Sequence, residues 1–186
     1  MRSGRALAGK TADIDFALSP MVTDDIPDVL EIESVSFSNP WRKQDFEYSL
    51  REENGICRVS RLDGLVVGYA VGFFTKHELH LADFAVRPEC QRRGYGRALL
   101  KIFLGQLEQM GTKIATLEVR QSNQRAVGLY SRAGFQTVAI RNDYYSRPKE
   151  SAIVMIKSLD GDLSNWVPTP STMTLKWTKV VDLTRV

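Results

Sequence analysis

Along this chain apolar positions recur at two spacings, threes and fours in some stretches and twos in others, and the switches between them mark out its elements. From Asp24 to Val35 the apolar residues Ile26, Val29, Leu30 and Val35 fall at helical spacing, with Thr23 or Asp24 as the cap. Phe37-Ser38-Asn39-Pro40-Trp41 breaks that helix, and a second one begins with Pro40 near its first turn and runs to about Leu50. Cys57 to Arg61 and Leu65 to Thr75 read as strands joined by Asp63-Gly64, a strong hairpin signal. His77 to Val86 is the next strand. A helix from Arg97 to Met110 then carries Leu99, Leu100, Phe103, Leu104 and Leu107 on one face and closes at Gly111. Ile114 to Val119 reads as a strand. Ser122-Asn123 caps a short helix ending at Ala133-Gly134. Gln136 to Arg141 and Ser151 to Lys157 are two more strands, flanking a polar loop that holds Tyr144 and Tyr145. The order gives an α/β (α+β) domain, a mixed sheet with helices packed on its faces.

The two ends differ from this middle. Residues 1–15 are rich in Gly, Ala and Arg without periodicity, which predicts a flexible extension. From Ser158 onward prolines and a Ser/Thr-rich stretch take over, although Met173 to Leu183 alternates enough for an added strand. The chain therefore divides into an N-terminal extension (1–15), one domain (16–157) and a C-terminal extension (158–186). At 186 residues, 43% hydrophobic and 25% charged, the composition is that of an ordinary globular protein. The net charge of +3 gives no support to a nucleic-acid or membrane role. No apolar run reaches the ~20 residues of a membrane helix, and no stretch resembles a signal peptide. Two cysteines, Cys57 and Cys90, make neither a disulfide framework nor a zinc site, so a cytoplasmic setting is expected.

Chemistry enters at Gln91-Arg92-Arg93-Gly94-Tyr95-Gly96-Arg97, between a strand and a helix. A glycine-bearing turn that opens a helix gathers backbone N–H groups and the positive end of the helix dipole, so it binds anions. Arg92, Arg93 and Arg97 reinforce that sign. A Walker loop would need Gly-Lys-Ser/Thr, and Gly96 is followed by Arg97-Ala98. A dinucleotide fingerprint would need a third Gly or Ala where Leu99 stands. What remains, Gln/Arg-x-x-Gly-x-Gly/Ala, resembles the coenzyme A pyrophosphate loop of the GNAT superfamily of N-acetyltransferases. In that fold the loop lies between strand 4 and the following helix.

Downstream residues narrow the resemblance. Leu117-Glu118-Val119-Arg120-Gln121-Ser122-Asn123, then Ala126, Leu129-Tyr130, Gly134-Phe135 and Arg141-Asn142-Asp143-Tyr144-Tyr145, resemble the RimI-type ribosomal-protein-alanine N-acetyltransferases. Phe37-Ser38-Asn39-Pro40-Trp41 is similar to that family's Phe-Pro-Trp segment with two residues inserted. The resemblance implies a mostly antiparallel mixed sheet and transfer of acetyl from acetyl-coenzyme A to the α-amine of a protein N-terminus. The usual bacterial target is the N-terminal alanine of a small-subunit ribosomal protein. It further implies that Phe84, Ala85 and Val86 contact the acetyl-pantetheine arm and that residues 92–97 (Arg92, Arg93, Gly94, Tyr95, Gly96, Arg97) hold the pyrophosphate. Asn123 would reach the pantetheine or thioester end. Glu118 corresponds to the proton acceptor and Tyr130 to the proton donor, with Trp41, Tyr144 and Tyr145 toward the peptide. No metal, nucleic-acid or membrane partner is expected.

The chemistry is coherent without the family. An α-amine has a pKa of ~8 against ~10.4 for lysine, so far more of it is neutral near pH 7. One carboxylate can remove the remaining proton, a phenol can protonate the leaving thiolate, and a strand-end N–H near Ala85 or Val86 can hold the oxyanion. Plainer readings stand beside this. Glu118 could be a buried ion-pair partner of Arg120 or Arg141, Tyr130 a core aromatic, and Tyr144 and Tyr145 a cover for the sheet. His77 and His80 lie on a strand with no carboxylate spacing around them and are read as structural, and Cys90 as a small buried hydrophobe rather than an acyl carrier. Acetylation of a lysine or small amine, and a coenzyme A-binding module without turnover, are the alternative functions.

Overall fold

The computed structural model describes residues 17–161; residues 1–16 and 162–186, which hold most of the two terminal extensions and all of Met173 to Leu183, lie outside the described residues. Seven strands form one sheet in the order β1-β2-β3-β4-β5-β7-β6. They are β1 (Leu18–Pro20), β2 (Gly55–Leu62), β3 (Leu65–Thr75), β4 (Glu78–Val86), β5 (Ile114–Arg120), β6 (Gln136–Ser146) and β7 (Lys149–Ser158). Four helices, α1 (Ile26–Ser36), α2 (Lys43–Arg51), α3 (Tyr95–Gln109) and α4 (Gln124–Arg132), complete the domain. Every neighbouring pair is antiparallel except β4 and β5. The β2–β3 hairpin turns on Asp63 and Gly64, both at positive φ (50° and 81°), as the Asp-Gly pair predicts.

The sheet separates two cores. On one face Leu99, Leu100, Phe103, Leu104 and Leu107 of α3 meet Leu79, Leu81, Leu117 and Tyr130. On the other, Ile26, Val29 and Ile32 of α1 join Trp41 and Phe46 over Val59, Tyr69 and Val71. The helical period placed α3 correctly. In α1 the buried set is Ile26, Val29, Ile32 and Glu33, whereas Val35 is 65% exposed. Glu33 is buried because its Oε1 accepts the Trp41 backbone N–H at 2.7 Å, tying the broken segment back to α1. Neither Thr23 nor Asp24 caps the first helix: a 3-10 turn covers Thr23–Asp25, and Asp25 Oδ2 accepts the Val22 N–H at 2.8 Å. Pro40 falls before α2 rather than in its first turn, since the helix starts at Lys43 behind Arg42.

Two further corrections concern the site. Tyr144 and Tyr145 belong to β6, which runs eleven residues past a register shift between Arg141 and Tyr145, with Asp143 at φ 55°. They are strand residues beside a kink. His77 lies in the turn before β4, and only His80 is on the strand.

Candidate active site

β4 and β5 pair only from Glu78–Ile114 to Leu81–Leu117. Beyond that point they part, and β4 carries one extra residue, Ala82, between the positions facing Gly72 and Val71 of β3. The bulge kinks β4 and leaves the stretch from Ala82 to Val86 without a strand partner on the β5 side. Backbone N–H and C=O groups in such a gap need another partner, and a cleft for an extended ligand is the result.

The glycine loop closes one end of this cleft. Gln91 fixes it by donating from Nε2 to Val86 O at 3.0 Å. Gly94 sits at φ 86° as the N-cap of α3, and a Cβ built there meets no atom within 4 Å. The space above the loop is therefore open, the first-turn amides of α3 point out of its N-terminus, and Arg92, Arg93 and Arg97 stand exposed around it. That set fits an anion. Tyr95, by contrast, is turned into the core at 8% exposure, so only its backbone can serve the loop. From Arg97 a groove of about 490 Å³ runs between α3 and α4 over Leu100, Leu104 and Leu129, with Lys101, Arg132 and Lys157 at its rim. Neither Glu118 nor Tyr130 lines it.

Phe84, Ala85 and Val86 are all buried along the free edge of β4. The Tyr130 ring, from α4, packs edge-on against Phe84 (centroids 6.3 Å apart) and against Phe135 (5.7 Å). Asn123 holds α4 at its start, Oδ1 accepting the Ala126 N–H at 3.1 Å. Ser122 is not the cap; its N–H is bound by Glu150 Oε1.

Glu118 follows directly on the last paired residue of β5, where the strands part. It is 6% exposed, and Arg141 reaches from β6 to place Nη1 2.9 Å from Oε1. Arg120 turns away to Glu150, at 3.2 Å. His80 on β4 brings Nε2 to 3.2 Å from Glu118 Oε2, at an angle that makes no hydrogen bond. The histidine thus does have a carboxylate partner, one supplied across a parallel strand pair where no sequence spacing can show it. Burial lowers its pKa, Arg141 adds to that, and Glu118 opposes them.

Three buried oxygens here lack a hydrogen-bond partner: Glu118 Oε2, Tyr130 Oη and Tyr145 Oη. Burial raises the pKa of both phenols, and each tyrosine adds to or feels the field of its neighbours: Asp83 and Tyr145 act on Tyr130, Tyr144 and Glu118 on Tyr145. Orphaned polar atoms clustered at the end of a cleft are costly unless a ligand completes them. Asp83, fully buried on β4, accepts a hydrogen bond from Tyr69 Oη at 3.4 Å. It escaped sequence reasoning because it reads as one polar residue in an apolar strand.

The peptide-side residues divide. Tyr144 is half-buried, with Arg141 5.4 Å from its ring centroid. Tyr145 is fully buried under Arg120, whose guanidinium carbon lies 4.0 Å from the ring centroid. Trp41 is 2% exposed and packs on Phe46 (5.2 Å) inside the core under α1. Cys90 is 1% exposed with its pKa raised chiefly by burial, a poor setting for a thiolate nucleophile.

A family model described as the acetyltransferase (GNAT) family matches residues 26–135. Over 140 residues, 74% of this chain and 94% of the relative, the sequence is 34% identical to ribosomal protein bS18-alanine N-acetyltransferase of Escherichia coli K12. A putative ribosomal protein bS18-alanine N-acetyltransferase of Bacillus subtilis 168 is 32% identical over 140 residues, covering 75% of this chain and 93% of its own. The crystal structure of the ribosomal-protein-S18-alanine N-acetyltransferase from Escherichia coli matches with a TM-score of 0.73 at 31% identity, over 82% of this chain and 99% of that one.

Proposed function

The chain belongs to the acetyltransferase (GNAT) family, and on that premise we propose that it moves acetyl from acetyl-coenzyme A to the α-amine of a protein N-terminus, with the N-terminal alanine of a small-subunit ribosomal protein as its target. The observation that carries this reading is the buried Glu118 at the fork of β4 and β5, one oxygen held by Arg141 and the other without a hydrogen bond. The named relatives support the acceptor, and the exposed arginine loop supports the donor. Residues 92–97 bind the pyrophosphate, and the adenosine end follows the groove from Arg97.

Glu118 Oε2 takes the amine's proton, directly or through one water. An α-amine suits a single carboxylate because its pKa, ~8, lies close to neutrality. The amine attacks the thioester carbon, and the oxyanion is held by a β4 N–H near Ala85 or Val86. Tyr130 protonates the departing thiolate. Its raised pKa keeps the phenol protonated at working pH, and a thiolate leaving inside the same dry cleft is itself made more basic. Holding both substrates along one cleft supplies much of the remaining rate. Tyr144 and Tyr145 form the acceptor side, with Trp41 behind it. Such a reaction belongs in the cytoplasm.

The test is an assay with acetyl-coenzyme A and a peptide beginning Ala-Arg, beside the same peptide with a blocked N-terminus. Acetylation of the free peptide alone is the expected result. Equal acetylation of both would assign the activity to lysine, and tight coenzyme binding without turnover would make the protein a binding module.

A further inference from the structure

Glu118 is held from two sides, and only one of its neighbours is a fixed charge. Arg141 takes Oε1, while Oε2 faces the His80 imidazole at 3.2 Å. His80 is 5% exposed, and Thr116 of β5 places Oγ1 3.4 Å from Nδ1. The Thr116 hydroxyl also lies 3.4 Å from Leu79 O. It holds one proton and can donate to only one of these two acceptors. When Thr116 donates to Leu79 O, its lone pairs favour a proton on Nδ1, and the bare Nε2 then faces a carboxylate. When it donates to Nδ1, Nε2 carries the proton 3.2 Å from Glu118 Oε2, and a small turn of either side chain completes a hydrogen bond that the angle here does not make. An ionised Glu118 selects the second arrangement. Glu118 and Arg141 are the charged groups acting on the imidazole, in opposite senses, and burial, the larger effect, favours the neutral ring.

We propose that His80, oriented by Thr116, is a positioning residue that aims Glu118 Oε2 at the acceptor amine. The inference rests on Glu118 being the proton acceptor, as argued above. A neutral N–H donor beside a buried carboxylate favours its charged form without adding net charge that would repel an ammonium.

The experiment compares wild type, His80→Leu and His80→Gln with a peptide that the wild type acetylates, following kcat and KM across pH. His80→Leu fills the space but donates nothing. It should lower kcat at least about tenfold, a share of the ~10²–10⁴ that general-base catalysis supplies. It should leave KM for acetyl-coenzyme A within about twofold and move the acid limb of kcat to higher pH. His80→Gln, whose amide can present an N–H toward Oε2, should recover most of the rate and the wild-type limb. A folded His80→Leu variant with wild-type kcat and pH profile overturns the proposal, as does a His80→Gln variant equally impaired. Should His80→Leu not fold, Thr116→Val takes its place, since it keeps the imidazole and removes only the hydroxyl at Nδ1. An unshifted limb in that variant is then the overturning result. Absence of turnover in the wild type would instead refute the proposed function itself.

Discussion

At the scale of single residues, the fold buries Glu118 Oε2 and Tyr130 Oη without hydrogen-bond partners, and the proposed chemistry rests on them. Glu118→Gln keeps the shape of the side chain but cannot accept a proton, and Tyr130→Phe keeps the ring against Phe84 but cannot give one. Each should lower kcat by about 10²-fold or more. Both should bind acetyl-coenzyme A within about twofold of wild type in calorimetry, because neither belongs to the anion loop. Loss of coenzyme binding in either would show the assigned roles to be wrong. The sequence already offered both Glu118 and Tyr130, and it also offered the rival reading of Glu118 as a partner of Arg141. The structure bears out the ion pair, which occupies one carboxylate oxygen, and the other lies 3.2 Å from His80 without a hydrogen bond. His80 could not be found by spacing. Its distance from Glu118 is set by the β4–β5 register, in which His80 stands opposite Thr116.

At the scale of elements, the turn between β4 and α3 was the most legible feature, since glycine has a backbone reason to be there. Gly94 at φ 86° is the position where a side chain is strained. Gly96 is different, with ordinary contacts of 3.8 Å to Leu129 and Val86 carbons for a built Cβ. Gly94→Ala should therefore cost about 1–2 kcal/mol of stability and weaken coenzyme affinity, whereas Gly96→Ala should leave the fold nearly unchanged. Thermal melts with and without acetyl-coenzyme A separate the two effects. Periodicity also located α3 within two residues of its start, because its buried stripe is continuous. It failed at β6, where the bulge between Arg141 and Tyr145 interrupts the alternation and made a long edge strand read as a loop. The first helix was misread on its buried face for a related reason: Glu33 is buried through a hydrogen bond from the Trp41 N–H, a tertiary contact that no hydropathy pattern contains.

At the scale of the whole molecule, the sheet lays two cores against one cleft, so the groups that serve the site are also buried in the fold. His80 shows the consequence for stability. Its pKa is lowered in the folded protein, chiefly by burial, from an unfolded value of about 6.5. As pH falls below that value the unfolded chain takes up a proton that the folded protein does not, so stability rises with pH there and falls on acidification. Denaturant melts between pH 7 and pH 5 should show this loss, and His80→Gln, which does not titrate, should flatten its share of it. What the sequence determined by itself is the material that local rules can express. Helices and strands follow from the period of apolar residues, the hairpin from Asp63-Gly64, the anion loop from its glycines, and the family from an ordered set of motifs. What only the tertiary structure decided is which distant polar groups meet. The parting of β4 from β5, the approach of Arg141 across β7, and the His80–Glu118–Arg141 constellation all depend on strand register and order. Register is fixed by the packing of both faces at once, so it is a property of the folded sheet and of no single strand.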